Sequence, residues 1–133
     1  MDEFGYTTDI EVRYRDLDTM GHVNNAVYAT YLEQARMDYF RDHLGLTMDD
    51  VRGVIAHLEI DYHRSITAED DVIIEMGITE LGNTSFTMEY EIRAGGEVAA
   101  TAEIVQVVFD GETDEPTEIP GEWRDRIATH EGL

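Results

Sequence analysis

Several residue types are missing or scarce in this chain of 133 residues. It has no cysteine, which excludes disulfides, thiolate metal sites and cysteine nucleophiles. It has no lysine, and its nine basic residues are all arginine. Because clustered cations are needed to neutralise phosphates, we expect no nucleic-acid partner. No apolar run approaches the ~20 residues that span a bilayer, so we expect no membrane partner either.

The charge balance is strongly acidic, with 30 Asp and Glu residues and a formal net charge of −21. Because 42% of the residues are hydrophobic and recur periodically, the composition predicts a folded domain with an acidic surface. Such a surface repels itself at low ionic strength, and salt screens that repulsion. We therefore expect a halophilic protein from a salt-rich cytoplasm. The N-terminal residues lack the pattern of a signal peptide, which agrees with a cytoplasmic location.

The first half of the chain predicts a strand and then a long helix. Residues 6–14 alternate in polarity, as a half-buried strand does. From Ala26 to Leu44 the apolar residues recur on one face, which is typical of a buried helix. Asn24 and Asn25 are candidate N-caps of this helix, and Gly45 is a natural C-cap.

The second half predicts four strands and a short final helix. The expected strands are residues 54–63, 72–78, 84–93 and 97–109. Thr47 to Arg52 can form one helical turn, Gly95-Gly96 is a hairpin signal, and Glu122 to Thr129 is the final helix. With no repeat or linker, residues 1–133 form one α+β domain, an antiparallel sheet wrapped around one long helix.

The loop before the long helix carries the residues best suited to chemistry. From Asp16 to Asn25 it reads Asp-Leu-Asp-Thr-Met-Gly-His-Val-Asn-Asn. The first N–H groups of the helix lack intrahelical partners and lie at its positive end, so they would stabilise an oxyanion. Asp18 beside them could attack a carbonyl carbon or take a proton from water, with His22 in the same loop. The alternative is that these aspartates and asparagines only cap turns and the helix.

The stretch from Val12 to Arg36, with its Asp-x-Asp-x-x-Gly-His-Val-Asn-Asn string, resembles the 4-hydroxybenzoyl-CoA thioesterase-like family of hotdog-fold acyl-CoA thioesterases. The resemblance extends over nearly the whole chain. It implies a hotdog fold, with the helix inside a curled antiparallel sheet. It also implies hydrolysis of an acyl-CoA substrate to a free acid and CoA, without a cofactor. The assembly would be a homodimer or homotetramer with active sites at the dimer interface.

The resemblance assigns roles within the loop. Asp18 matches the family's catalytic carboxylate, acting as nucleophile or as general base on water. Asn25 falls where the family uses a backbone N–H to polarise the thioester carbonyl, and Asn24 beside it is a second substrate-binding candidate. His22 matches a histidine that lines the site. Plant acyl-carrier-protein thioesterases share a similar string but carry a catalytic Asn where this chain has Met20.

Further candidates lie outside the motif or at its edge. Ser85 opens a strand where family members often place Ser or Thr near the partner subunit's active site. Arg64 is the candidate for a CoA phosphate contact, because a guanidinium binds phosphate in a bidentate way. We expect Asp16 to be structural, and Glu33 to form a local ion pair with Arg36 three residues later.

Two observations limit the alternatives. His57 and His63 fall on the polar face of a strand, where we expect surface roles, and with His22 they have no metal-ligand spacing, so no metal is expected.

A hotdog enoyl-CoA hydratase would carry Gly-Asp-x-Asn-Pro-x-His. In this chain the spacing from Asp18 to His22 is one residue shorter, and the Asn and Pro are missing. A non-catalytic acyl-CoA-binding protein stays open as a second alternative.

Overall fold

The computed structural model describes residues 4–47 and 50–133. Its helices and strands follow one another as β1 (Tyr6–Ile10), α1 (Val27–Tyr39), β2 (Gly53–Tyr62), β3 (Val72–Leu81), β4 (Ser85–Ala94), β5 (Glu97–Val108) and α2 (Gly121–Glu131). Among the described residues, neither helix is long and apolar enough to cross a membrane.

The five strands form one antiparallel sheet in the order β1-β3-β4-β5-β2. α1 packs against β1 and β3, and its buried face meets the alternate side chains that these strands direct inward. The expected α+β class is therefore confirmed, as is the helix packed against an antiparallel sheet that the hotdog expectation requires. β5 lies inside the sheet between β4 and β2, and every second residue from Ala100 to Val108 is buried.

α1 buries the face that the sequence predicts. Tyr28, Leu32, Ala35 and Tyr39 are each at most 2% exposed. The helix continues as a π-helical turn over Phe40–Leu44, so the helical segment ends at the predicted residue. Gly45 follows with φ of 67°, a left-handed conformation that favours glycine and ends the helix.

β1 is shorter than predicted. The expected strand over residues 6–14 ends at Ile10, and Tyr14 is 91% exposed rather than on a buried face. The physical reason is local: the Asp16 carboxylate accepts the Arg13 N–H at 2.9 Å, and the Asp16 N–H donates to the Arg13 carbonyl. These bonds fold the chain into a 3-10 turn at Tyr14–Asp16, overriding the alternating pattern.

β2 carries a β-bulge that strict alternation does not anticipate. The pairing with β5 shifts between Ile55 and His57, so Ala56 has no direct partner. Ile55 therefore faces the same side as Leu58, and Val54 faces the opposite side together with His57. Strict alternation over residues 54–63 would place Val54 and Leu58 on one face, and the inserted residue separates them by reversing the alternation.

The turns follow the glycine pattern where the structure describes them. Gly95 and Gly96 have φ of 59° and 83° and join β4 to β5, as expected for a tight hairpin. The final helix, α2, runs from Gly121 to Glu131, slightly longer than predicted. The turn predicted at Thr47–Arg52 includes residues 48 and 49, which lie outside the described residues.

α2 closes the C-terminal end of α1. Glu131 accepts the Tyr39 hydroxyl at 2.5 Å and the Ile78 N–H at 2.9 Å, which ties α2 to α1 and β3. Beside this contact the rings of His43 and His130 lie 3.9 Å apart. Burial, and next the charge of His130, lower the pKa of His43 below its usual value.

This histidine pair predicts a pH-dependent stability. A His with a lowered folded-state pKa contributes stability above its unfolded pKa of about 6.5, and that stability is lost as the pH falls below this value. His43→Gln should therefore lose less stability than wild type between pH 7.5 and pH 5.5 in urea unfolding at constant KCl. His63→Gln, which changes an exposed histidine, is the control and should follow wild type. Equal pH dependence in all three proteins would contradict the prediction.

Candidate active site

The Asp18 carboxylate is anchored through one of its two oxygens. Oδ1 accepts the N–H groups of Met20 at 2.8 Å and His22 at 3.1 Å. The loop is closed by the Asp18 N–H, which donates to the His22 carbonyl at 2.7 Å. Gly21 allows this turn with φ of 78°. Oδ2 accepts no hydrogen bond from any described residue, so an oriented carboxylate oxygen is available at an exposed position.

Backbone bonds also hold the chain just before α1. The Asn24 N–H donates to the Asp16 carbonyl at 2.9 Å, and the Val27 N–H donates to the Asn24 carbonyl at 2.9 Å. Ala26 is the N-cap residue, and its N–H donates to Asn24 Oδ1 at 2.9 Å. The prediction that Asn24 or Asn25 is the N-cap was therefore wrong in detail. The Asn25 N–H donates to no acceptor among the described residues. An N–H that binds an oxyanion must be free in this way before the substrate arrives.

These groups face one open pocket of about 300 Å³. Its lining residues are Asp18, His22, Val23, Asn25, Tyr28, Tyr62, His63, Arg64 and Ser65. The structure thus brings together four predicted site residues, Asp18, His22, Asn25 and Arg64. His22 is half-buried in the wall and makes no ion pair with Asp18 in the described structure. A groove of about 320 Å³ between β1 and α1 contains none of these four.

Sequence reasoning missed Tyr62, the last residue of β2. Its hydroxyl donates to the Asn25 carbonyl at 2.9 Å, and its ring meets that of Tyr28 edge-on, with centroids 4.9 Å apart. Burial, and next the proximity of Tyr62, raise the pKa of Tyr28, which keeps its hydroxyl protonated. The sequence does contain a signal for it. Tyr62 ends a row of aliphatic residues along β2, and it is the residue of that row that carries a hydroxyl group.

The Arg64 guanidinium is paired with groups of its own chain. The guanidinium donates to the Ala94 carbonyl and forms ion pairs with Asp70 at 3.3 Å and Glu97 at 3.8 Å. The Thr67 N–H first, and then Arg64, hold the pKa of Asp70 below its usual value. This network fixes the chain after β2 against the end of β4. The CoA phosphate contact foreseen for Arg64 stays a prediction.

Ser85 lies far from this pocket in the same subunit. It pairs with Val107 at the start of β4, whereas Tyr62 reaches the level of Ile92 through Ala100. At ~3.3 Å per residue, that separation along β4 is roughly 23 Å. Ser85 is therefore not part of this pocket, and its expected place near a partner subunit's site stays a prediction.

Two structural expectations are confirmed. Asp16 accepts the Arg13 N–H at 2.9 Å and the Tyr31 hydroxyl at 2.7 Å, so its carboxylate is used in holding the loop on α1. Arg36 lies 4.0 Å from Glu33 in the foreseen i, i+3 pair. The sequence did not predict that Arg36 would be buried, at 8% exposure.

The strand histidines occupy different settings. His63 is exposed beside Thr101, with its Nε2 at 3.2 Å from the hydroxyl, and it forms part of the pocket wall. His57 is half-exposed between Glu59 and Glu103, and the ligand-type atoms of these three side chains lie within 4.8 Å of one another. Exposed carboxylates often cluster in this way without an ion, so we assign them no metal.

Comparison with known proteins identifies the family. Residues 12–127 match the model of the thioesterase-like superfamily. The long-chain acyl-CoA thioesterase FadM of Escherichia coli K12 is 30% identical over 90% of this chain and 95% of its own length. The acyl-CoA thioester hydrolase YbgC of Escherichia coli O157:H7 is 27% identical over 84% of this chain and 87% of its own. A thioesterase of Thermus thermophilus, crystallised with coenzyme A and Zn, has a TM-score of 0.91 and 38% identity over 100% of this chain and 98% of its own. The chain therefore belongs to the thioesterase-like superfamily, and its fold is the hotdog fold.

Proposed function

We propose that this protein is an acyl-CoA thioesterase, which hydrolyses an acyl-CoA to a free acid and CoA. The observation that carries the proposal is the pairing of two unused groups in one pocket. Asp18 offers a carboxylate oxygen with no hydrogen bond, and Asn25 offers an N–H with no acceptor among the described residues. A thioester carbonyl needs both, one group to promote attack on its carbon and one to stabilise its oxygen.

The chemistry follows from this arrangement. As nucleophile, Asp18 would bond to the thioester carbon, and the C–S bond would break with release of CoA as its thiolate. Water would then hydrolyse the resulting anhydride to the free acid and the Asp18 carboxylate, and the proton released would protonate the thiolate. As general base, Asp18 would take a proton from water while the water oxygen bonds to the same carbon. The tetrahedral intermediate would then collapse with cleavage of the C–S bond, and the proton held by Asp18 would pass to the departing CoA sulfur. In both routes negative charge develops on the carbonyl oxygen, and the Asn25 N–H at the positive end of α1 stabilises it.

The finer assignment to the 4-hydroxybenzoyl-CoA thioesterase-like family is also a proposal, supported by the Asp16-to-Asn25 string. Thiol release from acyl-CoAs tests it, using substrates from acetyl to palmitoyl together with benzoyl, hydroxybenzoyl and phenylacetyl forms. Two relatives act on acyl-CoA by their names, and one of them acts on long chains. Preference for an aromatic group would support the finer family, and preference for a long aliphatic group would contradict it. Tight acyl-CoA binding without turnover would favour the non-catalytic alternative.

We further propose a homodimer formed through β2, which completes the active sites. β2 is an edge strand of the sheet, and among the described strands it pairs with β5 alone. Four of its large apolar residues are exposed by 42–48%, namely Val54, Ile55, Leu58 and Tyr62. A long edge strand with such side chains normally requires a partner strand, and a second copy provides one by two-fold symmetry. We propose that Ser85 then contributes to the partner's site, in a dimer or a pair of dimers.

We propose that the protein functions in a salt-rich cytoplasm, because its sheet concentrates negative charge. Glu103 lies directly opposite Glu59 on one side and Glu89 on the other, so three carboxylates form a row across β2, β5 and β4. Like charges directly opposite each other in a sheet are destabilising. At molar salt the Debye length falls to ~3 Å, which is shorter than the spacing between neighbouring strands.

Salt should therefore stabilise the protein. We expect Tm to rise with KCl from 0.1 M to 2 M, measured by circular dichroism. Glu103→Gln removes the central carboxylate, so it should raise Tm in low salt and have little effect in 2 M KCl. Glu118→Gln, in the exposed segment before α2, is the matched control, because Glu118 forms no ion pair with a described residue, and it should change Tm less in low salt. A wild-type Tm independent of KCl would exclude the halophilic interpretation.

A further inference from the structure

The peptide unit between Asn25 and Ala26 is held at both of its polar ends. Its carbonyl oxygen accepts the Tyr62 hydroxyl at 2.9 Å, and its N–H donates to Asn24 Oδ1 at 2.9 Å. The first bond comes from the end of β2, and the second comes from the loop itself. Together they prevent this peptide plane from rotating, at the point where the chain enters α1.

We propose that Tyr62 is a positioning residue, whose hydroxyl orients the Asn25 N–H toward the carbonyl oxygen of the substrate. This inference rests on the proposed thioesterase function. The Asn25 N–H lies one residue before the clamped peptide, and the Asn24 N–H on its other side is bonded to the Asp16 carbonyl. With both neighbouring peptides fixed, the free N–H keeps one direction without forming a bond of its own. A donor that is already oriented does not need to reorganise when charge develops.

The position of Tyr62 is itself fixed by packing. Its ring meets Tyr28 edge-on, at 4.9 Å between centroids and an interplanar angle of 80°. Tyr28 is 2% exposed, so this contact joins the end of β2 to the buried face of α1. The ring contact holds the Tyr62 side chain in place, and the hydrogen bond from its hydroxyl holds the Asn25 carbonyl. These two contributions can be separated by mutation.

Tyr62→Phe removes the hydroxyl and keeps the ring. We expect kcat for acyl-CoA hydrolysis to fall about 3- to 10-fold, the effect of one hydrogen bond, while KM stays within about twofold. Because the ring contact survives, Tm should stay close to that of wild type. Tyr14→Phe is the matched control, since Tyr14 is 91% exposed outside the pocket, and it should keep the wild-type kcat.

Amide exchange provides a readout that does not depend on activity. In Tyr62→Phe the clamped peptide loses one of its two bonds, so the Ala26 N–H should exchange faster by NMR and the Asn25 and Ala26 amide shifts should move. Tyr14→Phe should leave both unchanged. If exchange and kcat in Tyr62→Phe both match wild type, the positioning role is excluded. If KM rises and kcat is unchanged, Tyr62 is a substrate contact and the proposal fails.

The same measurements separate this proposal from the proposed function. If the wild-type protein releases no thiol from any acyl-CoA, the thioesterase function fails on that result alone, and the catalytic role of Tyr62 fails with it. If the wild type is active and Tyr62→Phe is equally active, only the positioning role fails. Faster Ala26 exchange together with a reduced kcat supports both proposals.

Discussion

Replacement of Asp18 by Asn is expected to lower kcat for acyl-CoA hydrolysis by about 10²–10⁴-fold, which is the usual contribution of a positioned acid, base or nucleophile. The substitution is well matched to this loop. An Asn side chain retains an Oδ1 that can accept the Met20 and His22 N–H groups, so the turn keeps its bonds. What is lost is the negative charge and basicity of the free oxygen. The fold should therefore survive while the chemistry does not.

The measurement is thiol release with the preferred acyl-CoA in molar KCl, with Tm recorded for each variant. Asp18→Ala removes the anchored oxygen as well, so it should show a similar loss of activity and a lower Tm. Asp125→Asn is the control, because it neutralises an exposed carboxylate on α2 outside the pocket, and it should keep wild-type kcat. Full activity in Asp18→Asn would leave the thioesterase function standing and remove Asp18 from its mechanism.

Where a structural feature depends on neighbouring residues, the sequence predicted it. The buried face of α1 follows from the 3.6-residue period, and Gly45 and the Gly95-Gly96 turn adopt the positive φ that glycine permits. Two local features were nevertheless missed. The 3-10 turn at Tyr14–Asp16 depends on the Asp16 carboxylate, which accepts the Arg13 N–H, and the bulge at Ala56 adds one residue to an unbroken alternating pattern.

The same distinction applies to the candidate site: the residues of one loop were predicted together, and contacts between residues far apart in the sequence were not. Asp18, His22 and Asn25 share a pocket because they belong to one short loop, so motif and spacing were enough to group them. The contact of Tyr62 with Asn25 spans 37 positions and is created by the register of β2 against β5. No periodicity in the sequence encodes that register. The ion pair of Arg64 with Glu97 likewise arises only when the end of β2 is brought beside the start of β5.

A charge on the exposed face of β2 should dissociate the proposed dimer. Leu58 is 45% exposed in the single chain and lies on the same side of β2 as Ile55 and Tyr62. Full burial of a leucine side chain contributes ~2 kcal/mol, and Leu58 has 45% of its surface left to bury, so the interface gains ~1 kcal/mol from it. Leu58→Asp loses this gain and adds an unpaired polar group that costs at least ~1 kcal/mol to bury. A two-fold axis doubles both contributions, so the variant should cost about 4 kcal/mol. The dimer dissociation constant should therefore rise by roughly 10³-fold. Sedimentation velocity over a concentration series measures this shift directly.

The activity of this variant tests how the sites are completed. If each pocket needs the second subunit, kcat/KM should fall at least about tenfold under conditions where Leu58→Asp is monomeric, and it should recover as concentration restores the dimer. Ile73→Asp is the matched control, because Ile73 is 39% exposed on β3, away from the β2 edge, and it should leave the dimer intact. A monomeric wild type would exclude the interface. A monomeric but fully active Leu58→Asp would place every catalytic group within one chain. Because Tyr62 closes β2 and contacts Asn25, pairing of this strand with its copy is the direct physical route by which assembly would affect the oxyanion-binding N–H.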